Sequence, residues 1–249
     1  MTISLLAVHG NGGGGDRFRW MAPHLPTDIA LQAPTLPGFG GRLADPAITD
    51  VGGYAAVLAT DLVAMPRPRV VLGTGIGGSY ALELLRHHAA EVDGVILHAP
   101  VGPRLDTRLF PKVMRRPAVA ETARRLIGSQ RLRPLIARRF FQRGTAENRV
   151  DSVLNGYEGC SVFAQQFQII DAAWWNSLPL AETPAVVLWG GEERVLASDM
   201  AEDMRAVLRD PQIQIVPGWD HFPMVDTPAH YAEVVSRAAR HLVSTASST

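Results

Sequence analysis

Apolar positions along the 249-residue chain follow two alternating patterns. Short, nearly continuous apolar runs at 4–8, 29–32, 69–72, 95–98, 185–189 and 212–216 predict strands buried on both faces. Between them, 51–65, 76–88, 198–208 and 228–242 carry helical spacing; the last puts Tyr231, Val234, Val235, Ala238 and Leu242 on one face. This alternation predicts an α/β fold with a mostly parallel sheet of about six strands covered by helices. It breaks after Pro100. From 103 to 177 no strand pattern occurs, only helix-like segments punctuated by Pro111, Pro117, Gly128, Pro134 and Gly144, and strands resume after Thr183-Pro184. The division expected is a core of 1–102 and 178–249 with a helical insertion at 103–177. No internal repeat is visible, and 244–249 reads as a disordered polar tail.

Composition narrows the function classes. Lys+Arg and Asp+Glu number 24 each, so the chain as a whole lacks the basic excess of a nucleic-acid or membrane-surface protein. Cys160 is the single cysteine, which excludes an internal disulfide and a multi-cysteine zinc site. The longest apolar runs are far shorter than the ~20 residues that span a bilayer. Residues 1–8 have no basic segment and lead into a glycine loop, so no signal peptide is expected and a cytoplasmic location is the default. The zero charge hides an uneven distribution. Lys112 is the only lysine, and thirteen of the 24 basic residues lie between Arg104 and Arg149. Across 103–177 they face six acidic residues (Asp106, Glu121, Glu147, Asp151, Glu158 and Asp171), an excess of seven that the rest of the chain cancels. Arg115-Arg116, Arg124-Arg125 and Arg138-Arg139 are paired. Two explanations stay open: a solvated helix face, or recognition of an anionic substrate such as a carboxylate, a coenzyme A thioester or a carrier-protein-bound acyl group.

Ligands of open parallel sheets bind beyond the carboxyl ends of the strands. The loops there are His9-Gly10-Asn11-Gly12, Leu36-Pro37-Gly38-Phe39-Gly40, Gly73-Thr74-Gly75-Ile76-Gly77-Gly78, Gly190-Gly191-Glu192-Glu193 and Gly218-Trp219-Asp220-His221-Phe222-Pro223. Two of them match G-x-G-x-x-G, at Gly10 to Gly15 and Gly73 to Gly78. A dinucleotide site also needs an acidic residue about 20 positions on for the ribose. Those regions hold Gln32-Ala33-Pro34 and His98-Ala99-Pro100, so no nucleotide cofactor is implied.

Together the loops resemble the α/β-hydrolase superfamily, in its cap-bearing esterase, lactonase and lyase branch. His9-Gly10-Asn11-Gly12 is similar to the family's H-G-x-G oxyanion loop, and Leu36 to Gly40 to its L-P-G-x-G segment. Trp189-Gly190-Gly191-Glu192-Glu193 resembles the segment carrying the triad acid, and His221-Phe222-Pro223 the loop carrying the triad histidine. The order of nucleophile, acid and histidine positions is also the family's. The resemblance implies an α/β-hydrolase fold with 103–177 as a helical cap. It implies His221 as base, Glu193 as its acid with Glu192 as fallback, and an oxyanion hole from the N–H groups of Asn11 and Ile76. Taken alone, His221 reads as a loop histidine and Glu193 as a carboxylate at a helix start. Phe39, Trp174, Trp175 and Phe222 are the candidate substrate contacts, with Phe140, Phe141, Phe163 and Phe167 among aromatics that line a pocket or seat the cap. No metal site is implied.

One position departs from the pattern. The family's elbow reads G-x-S-x-G; here Gly73-Thr74-Gly75-Ile76-Gly77 puts Gly75 at the serine position, with no side chain to attack a carbonyl. Thr74, Ser79 and Cys160 are poor substitutes: Thr74 lies beside the tip, Ser79 a helical turn deeper, and a lone cysteine is usually a buried small hydrophobe. Glycine does tolerate the strained elbow geometry, so the turn itself is expected to persist. Three functions are compatible with this. The first is an enzyme working through His221 without covalent catalysis, as lyase, isomerase, cyclase or water-mediated hydrolase. The second is a hydrolase inactivated by a Ser-to-Gly change, and the third a non-catalytic binder.

Overall fold

The computed structural model describes residues 1–104 and 109–246. Six strands, β1 (Ile3–Val8), β2 (Ile29–Gln32), β3 (Arg69–Thr74), β4 (Gly94–His98), β5 (Ala185–Gly190) and β6 (Gln212–Val216), form one sheet in the order β2-β1-β3-β4-β5-β6. Every neighbouring pair is parallel. β1, β4 and β5 are buried along their whole length, which explains their uninterrupted apolar character. After β2 the chain returns past β1 to lay down β3. The strand order therefore switches direction between β1 and β3, and a crevice opens beyond their carboxyl ends, where the Gly10 and Gly75 loops lie.

Helix α1 (Val51–Val63) starts on Asp50, whose carboxylate accepts the Gly53 N–H at 2.9 Å. It buries Val51, Tyr54, Ala55, Leu58, Ala59 and Leu62, one face at helical spacing, and packs beside α2 (Ile76–His88). Between β4 and β5 the described chain winds through α3 (Leu109–Met114), α4 (Pro117–Gly128), α5 (Arg133–Phe140), α6 (Glu147–Glu158), α7 (Phe163–Ile169) and α8 (Ala172–Asn176). Pro117 and Pro134 sit in the first turns of α4 and α5, where a missing N–H costs nothing. After β6 come the short α9 (Pro223–Asp226) and then α10 (Pro228–Ala246), which lies across β1, β3, β4 and β5. Among the described residues no helix is long and apolar enough to cross a membrane.

Two local expectations are corrected. The helical spacing at 198–208 folds as a 3-10 segment, Ser198–Ala206. It buries Met200, Ala201 and Met204, while the Arg104 guanidinium grips Asp199 at 2.8 Å and Asp203 at 2.7 Å. The polar tail is helical through Ala246, and the Ser244 and Thr245 hydroxyls are accommodated there by donating to carbonyls of the preceding turn. Ser247, Ser248 and Thr249, like Asp106 and Arg108 of the basic stretch, lie outside the described residues.

Candidate active site

The elbow follows from close backbone packing. A Cβ on Gly77 would lie 2.4 Å from the Val8 carbonyl oxygen and 2.7 Å from that of His9, so only glycine lets α2 approach β1 this closely. Gly75 then turns the chain at φ +54°, ψ −119°. Its N–H donates to the His98 carbonyl at 3.1 Å, and its own carbonyl accepts the N–H groups of Gly78 (3.1 Å) and Val101 (3.2 Å). An L-residue here carries about 1–3 kcal/mol of strain. Space is not the obstacle: a Cβ at Gly75 would meet nothing nearer than the Gly10 Cα at 3.7 Å. Thr74 donates to the Val8 carbonyl at 3.2 Å, and Ser79 is fully buried without a hydrogen bond among the described residues. Burial pushes the Cys160 thiol up to about 11.

The loops after β5 and β6 bring two charged groups together. His221 Nδ1 donates to Glu193 Oε2 at 2.9 Å, so the longer glutamate reaches, while Glu192 is exposed. The other carboxylate oxygen, Oε1, accepts the N–H groups of Val195 (2.6 Å) and Leu196 (3.1 Å). Burial raises the Glu193 pKa, but the charge of His221 and these hydrogen bonds outweigh it and hold the carboxylate below its usual value. Asp220, almost fully buried, accepts the His221 N–H at 2.9 Å and pairs with Arg194. Arg194 in turn donates to the carbonyls of Arg138 (2.7 Å) and Phe141 (2.9 Å), tying α5 to the acid loop.

His221, Gly75, Asn11 and Ile76 all line one cavity of about 580 Å³ between the sheet edge and the helices of the β4–β5 stretch. The backbone N–H groups of Asn11 and Ile76 have no hydrogen-bond acceptor among the described residues. Asn11 is fixed by its side chain, which donates to the Phe163 carbonyl at 3.3 Å and accepts the Gly12 N–H at 2.9 Å. The cavity walls include Phe140, Tyr157, Phe163, Phe167 and Phe222. Of the four candidate substrate contacts, Phe222 is there. Phe39, Trp174 and Trp175 do not line it, for physical reasons. Phe39 is fully buried against His9 and Tyr54. The Trp174 indole N–H is satisfied by the buried Glu83 carboxylate at 2.7 Å, and Trp175 is buried against it. Tyr157, His98 and Arg17 also reach the cavity and were missed. His98 ends β4, one strand over from the elbow, a position that strand order alone marks; Arg17 follows the glycine run after β1.

The arrangement is an imidazole hydrogen-bonded to a carboxylate, on the wall of a cavity that two backbone N–H groups also line, a set of groups with the chemistry for proton transfer. A model of the "Alpha/beta hydrolase family" matches residues 5–235. The pimeloyl-[acyl-carrier protein] methyl ester esterase of Aromatoleum aromaticum is 25% identical over 256 residues, covering 95% of this chain and 98% of that protein. The enzyme of the same name from Neisseria meningitidis is 22% identical, covering 90% and 89%. Among solved structures, a thermophilic esterase from Thermogutta terrifontis superposes with a TM-score of 0.72 at 20% identity, covering 97% of this chain and 91% of that one.

Proposed function

The chain belongs to the alpha/beta hydrolase family, and from that premise we propose that it hydrolyses an ester or thioester without an acyl-enzyme, His221 activating the attacking water. The helices of 103–177 act as the cap over the cavity. Water over Gly75 loses its proton to His221 Nε2 as its oxygen bonds to the substrate carbonyl carbon. The resulting oxyanion is received by the N–H groups of Asn11 and Ile76, at the start of α2. Collapse breaks the bond to the alkoxide or thiolate, which recovers the proton from the imidazolium and leaves the acid as product. Glu193 holds the ring and offsets its charge. The observation that carries this is the pairing of open space on Gly75 with an intact His221–Glu193 contact at 2.9 Å. A pure binding protein has no use for that contact. The names of the two relatives favour an acyl group on a carrier protein, and the basic excess of the cap suits an acidic carrier.

The test is turnover of a panel of methyl esters, aryl esters and acyl thioesters, with mass analysis of the quenched protein. His221→Ala is expected to lose about 10²- to 10⁴-fold in kcat/KM, and the native chain to show no acyl adduct. Gly75→Ser is expected to form such an adduct at a stability cost of about 1–3 kcal/mol, from the left-handed φ at that position. Unchanged turnover in His221→Ala, or an acyl adduct on the native chain, would overturn the mechanism. Ligand binding with no turnover across the panel would assign the fold to binding instead.

A further inference from the structure

Arg17 is buried to 5% exposure in the wall of the catalytic cavity. Its guanidinium lies 5.6 Å from the Tyr157 ring centroid and 5.1 Å from that of Phe222, so residues from α6 and the histidine loop flank it. The glycine run makes the room, since a Cβ on Gly13 would fall 2.0 Å from Arg17 Nε. Nε and Nη2 are both buried without an acceptor, and among the described residues no carboxylate pairs with this side chain. The two other arginines of the cavity wall differ: Arg194 pairs with Asp220, and Arg139 donates to the Arg194 carbonyl. Ring faces attract a cation but leave its N–H groups unsatisfied. A buried charge without a counter-charge is destabilising by several kcal/mol in general, so such groups are normally paired.

We propose that Arg17 is the specificity residue for a carboxylate carried by the substrate, bound by the planar guanidinium close to the reacting carbonyl. Gly10 sets the spacing. Its Cα is 3.7 Å from the Cβ position of residue 75, and its own Cβ position is 3.5 Å from Arg17 Nη1. One residue's width thus separates the elbow from the guanidinium. The carbonyl and the carboxylate must then be only a few bonds apart, as in a half-ester or half-thioester of a short dicarboxylic acid. His9 is locked neutral, its Nδ1 donating to the Gly10 carbonyl at 3.0 Å and its Nε2 accepting the Leu36 N–H at 3.1 Å. Burial and the nearby Arg17 charge both push the His9 pKa down, to about 4.

Only the fate of the carbonyl depends on the hydrolytic chemistry proposed above; carboxylate binding does not. The test is calorimetric titration of the full chain with succinate and glutarate, with their dimethyl esters as neutral probes. The native chain is expected to prefer the dicarboxylates. Arg17→Met should weaken them at least about tenfold, the scale of one charge-assisted hydrogen bond, leave the dimethyl esters unchanged, and melt no lower than the native chain. Arg17→Lys should fall between the two and serves as the folded comparison if the methionine variant does not fold. Equal dicarboxylate affinity in Arg17→Met, or no preference in the native chain, would overturn the assignment. Kinetics on monomethyl and dimethyl succinate separate the two ideas. Loss of hydrolysis in all forms with carboxylate binding retained breaks only the mechanism. Hydrolysis retained with no carboxylate preference breaks only the role of Arg17.

Discussion

The carboxyl edge of the sheet and the helical stretch from α3 to α8 meet at one cavity but are held by different forces. At the sheet edge, backbone packs on backbone: Gly77 against Val8 and His9, and the Gly191 N–H on the Val216 carbonyl at 2.9 Å. In the helical stretch, arginines do much of the joining. Arg124 binds the Glu121 carboxylate (2.7 and 2.6 Å) and the Tyr157 carbonyl (2.7 Å), Arg133 binds Asp151 at 2.6 Å, and Arg149 reaches the Val225 carbonyl at 3.1 Å. The first kind of contact admits no substitute side chain. The second works through long side chains that exchange partners cheaply. The positions of Gly75, Asn11 and His221 are therefore fixed by backbone packing at the edge, while the helical walls of the cavity are held by side chains.

The difference can be broken from its strong side first. Gly77→Ala forces a Cβ into two carbonyl oxygens and is expected to destabilise the protein by about 3 kcal/mol or more in urea unfolding; a loss below about 1 kcal/mol would show that the edge yields. Acid separates the regions next. Burial lowers the His9 pKa to about 4; burial, opposed by Glu193 and aided by His221, lowers that of His98 to about 3. Both fall below the unfolded value, so the unfolded chain binds more protons and stability drops as pH falls from about 6.5. By pH 4 the loss is on the order of 3 kcal/mol for each histidine. Hydrogen bonds from Arg124 and Arg125 hold Glu121 down at about 2, so its ion pairs persist through that window and weaken only as pH falls toward 2. Unfolding midpoints from pH 7 to 4 should fall steeply in the native chain and less steeply in His98→Gln. Identical slopes would remove His98 from the account. The smallest effect is expected at Arg125, whose side chain is 73% exposed beside Glu121. Arg125→Ala should change stability by less than about 1 kcal/mol, against a larger loss for Arg124→Ala, which also gives up two backbone carbonyls.

The same contrast governs what could be read from the sequence. Strands buried on both faces leave unbroken apolar runs, so the sheet was legible in the sequence, and close backbone approach demands glycine at fixed spacing, which is what made the elbow's resemblance to the family motif readable at Gly75. The resemblance of the loops named Glu193 as partner of His221 with Glu192 as fallback, and the 2.9 Å contact, which side-chain length alone does not fix, is made by Glu193. Side chains that choose among several partners leave no such trace. Trp174 looked like a pocket aromatic until Glu83 took its N–H, and the arginine pairs left a solvated face and an anion-binding face both open, with nothing to show that Arg124 is committed internally. Arg17 was overlooked because nothing in a glycine run announces the side chain it accommodates.

The placement of α6 bears on how substrate scope evolves. A Cβ on Gly156 would lie 2.9 Å from the Gly12 carbonyl oxygen, and Tyr157 fills the space beside Gly12. α6 is thereby seated on the same loop that holds Asn11, and its position cannot drift without disturbing that loop. Leu109 and Ile127, on α3 and α4, also line the cavity, and Leu109 is 76% exposed. Mutational libraries aimed at longer or bulkier acyl groups therefore belong on α3 and α4, where the doorway can be rebuilt without moving the hinge post.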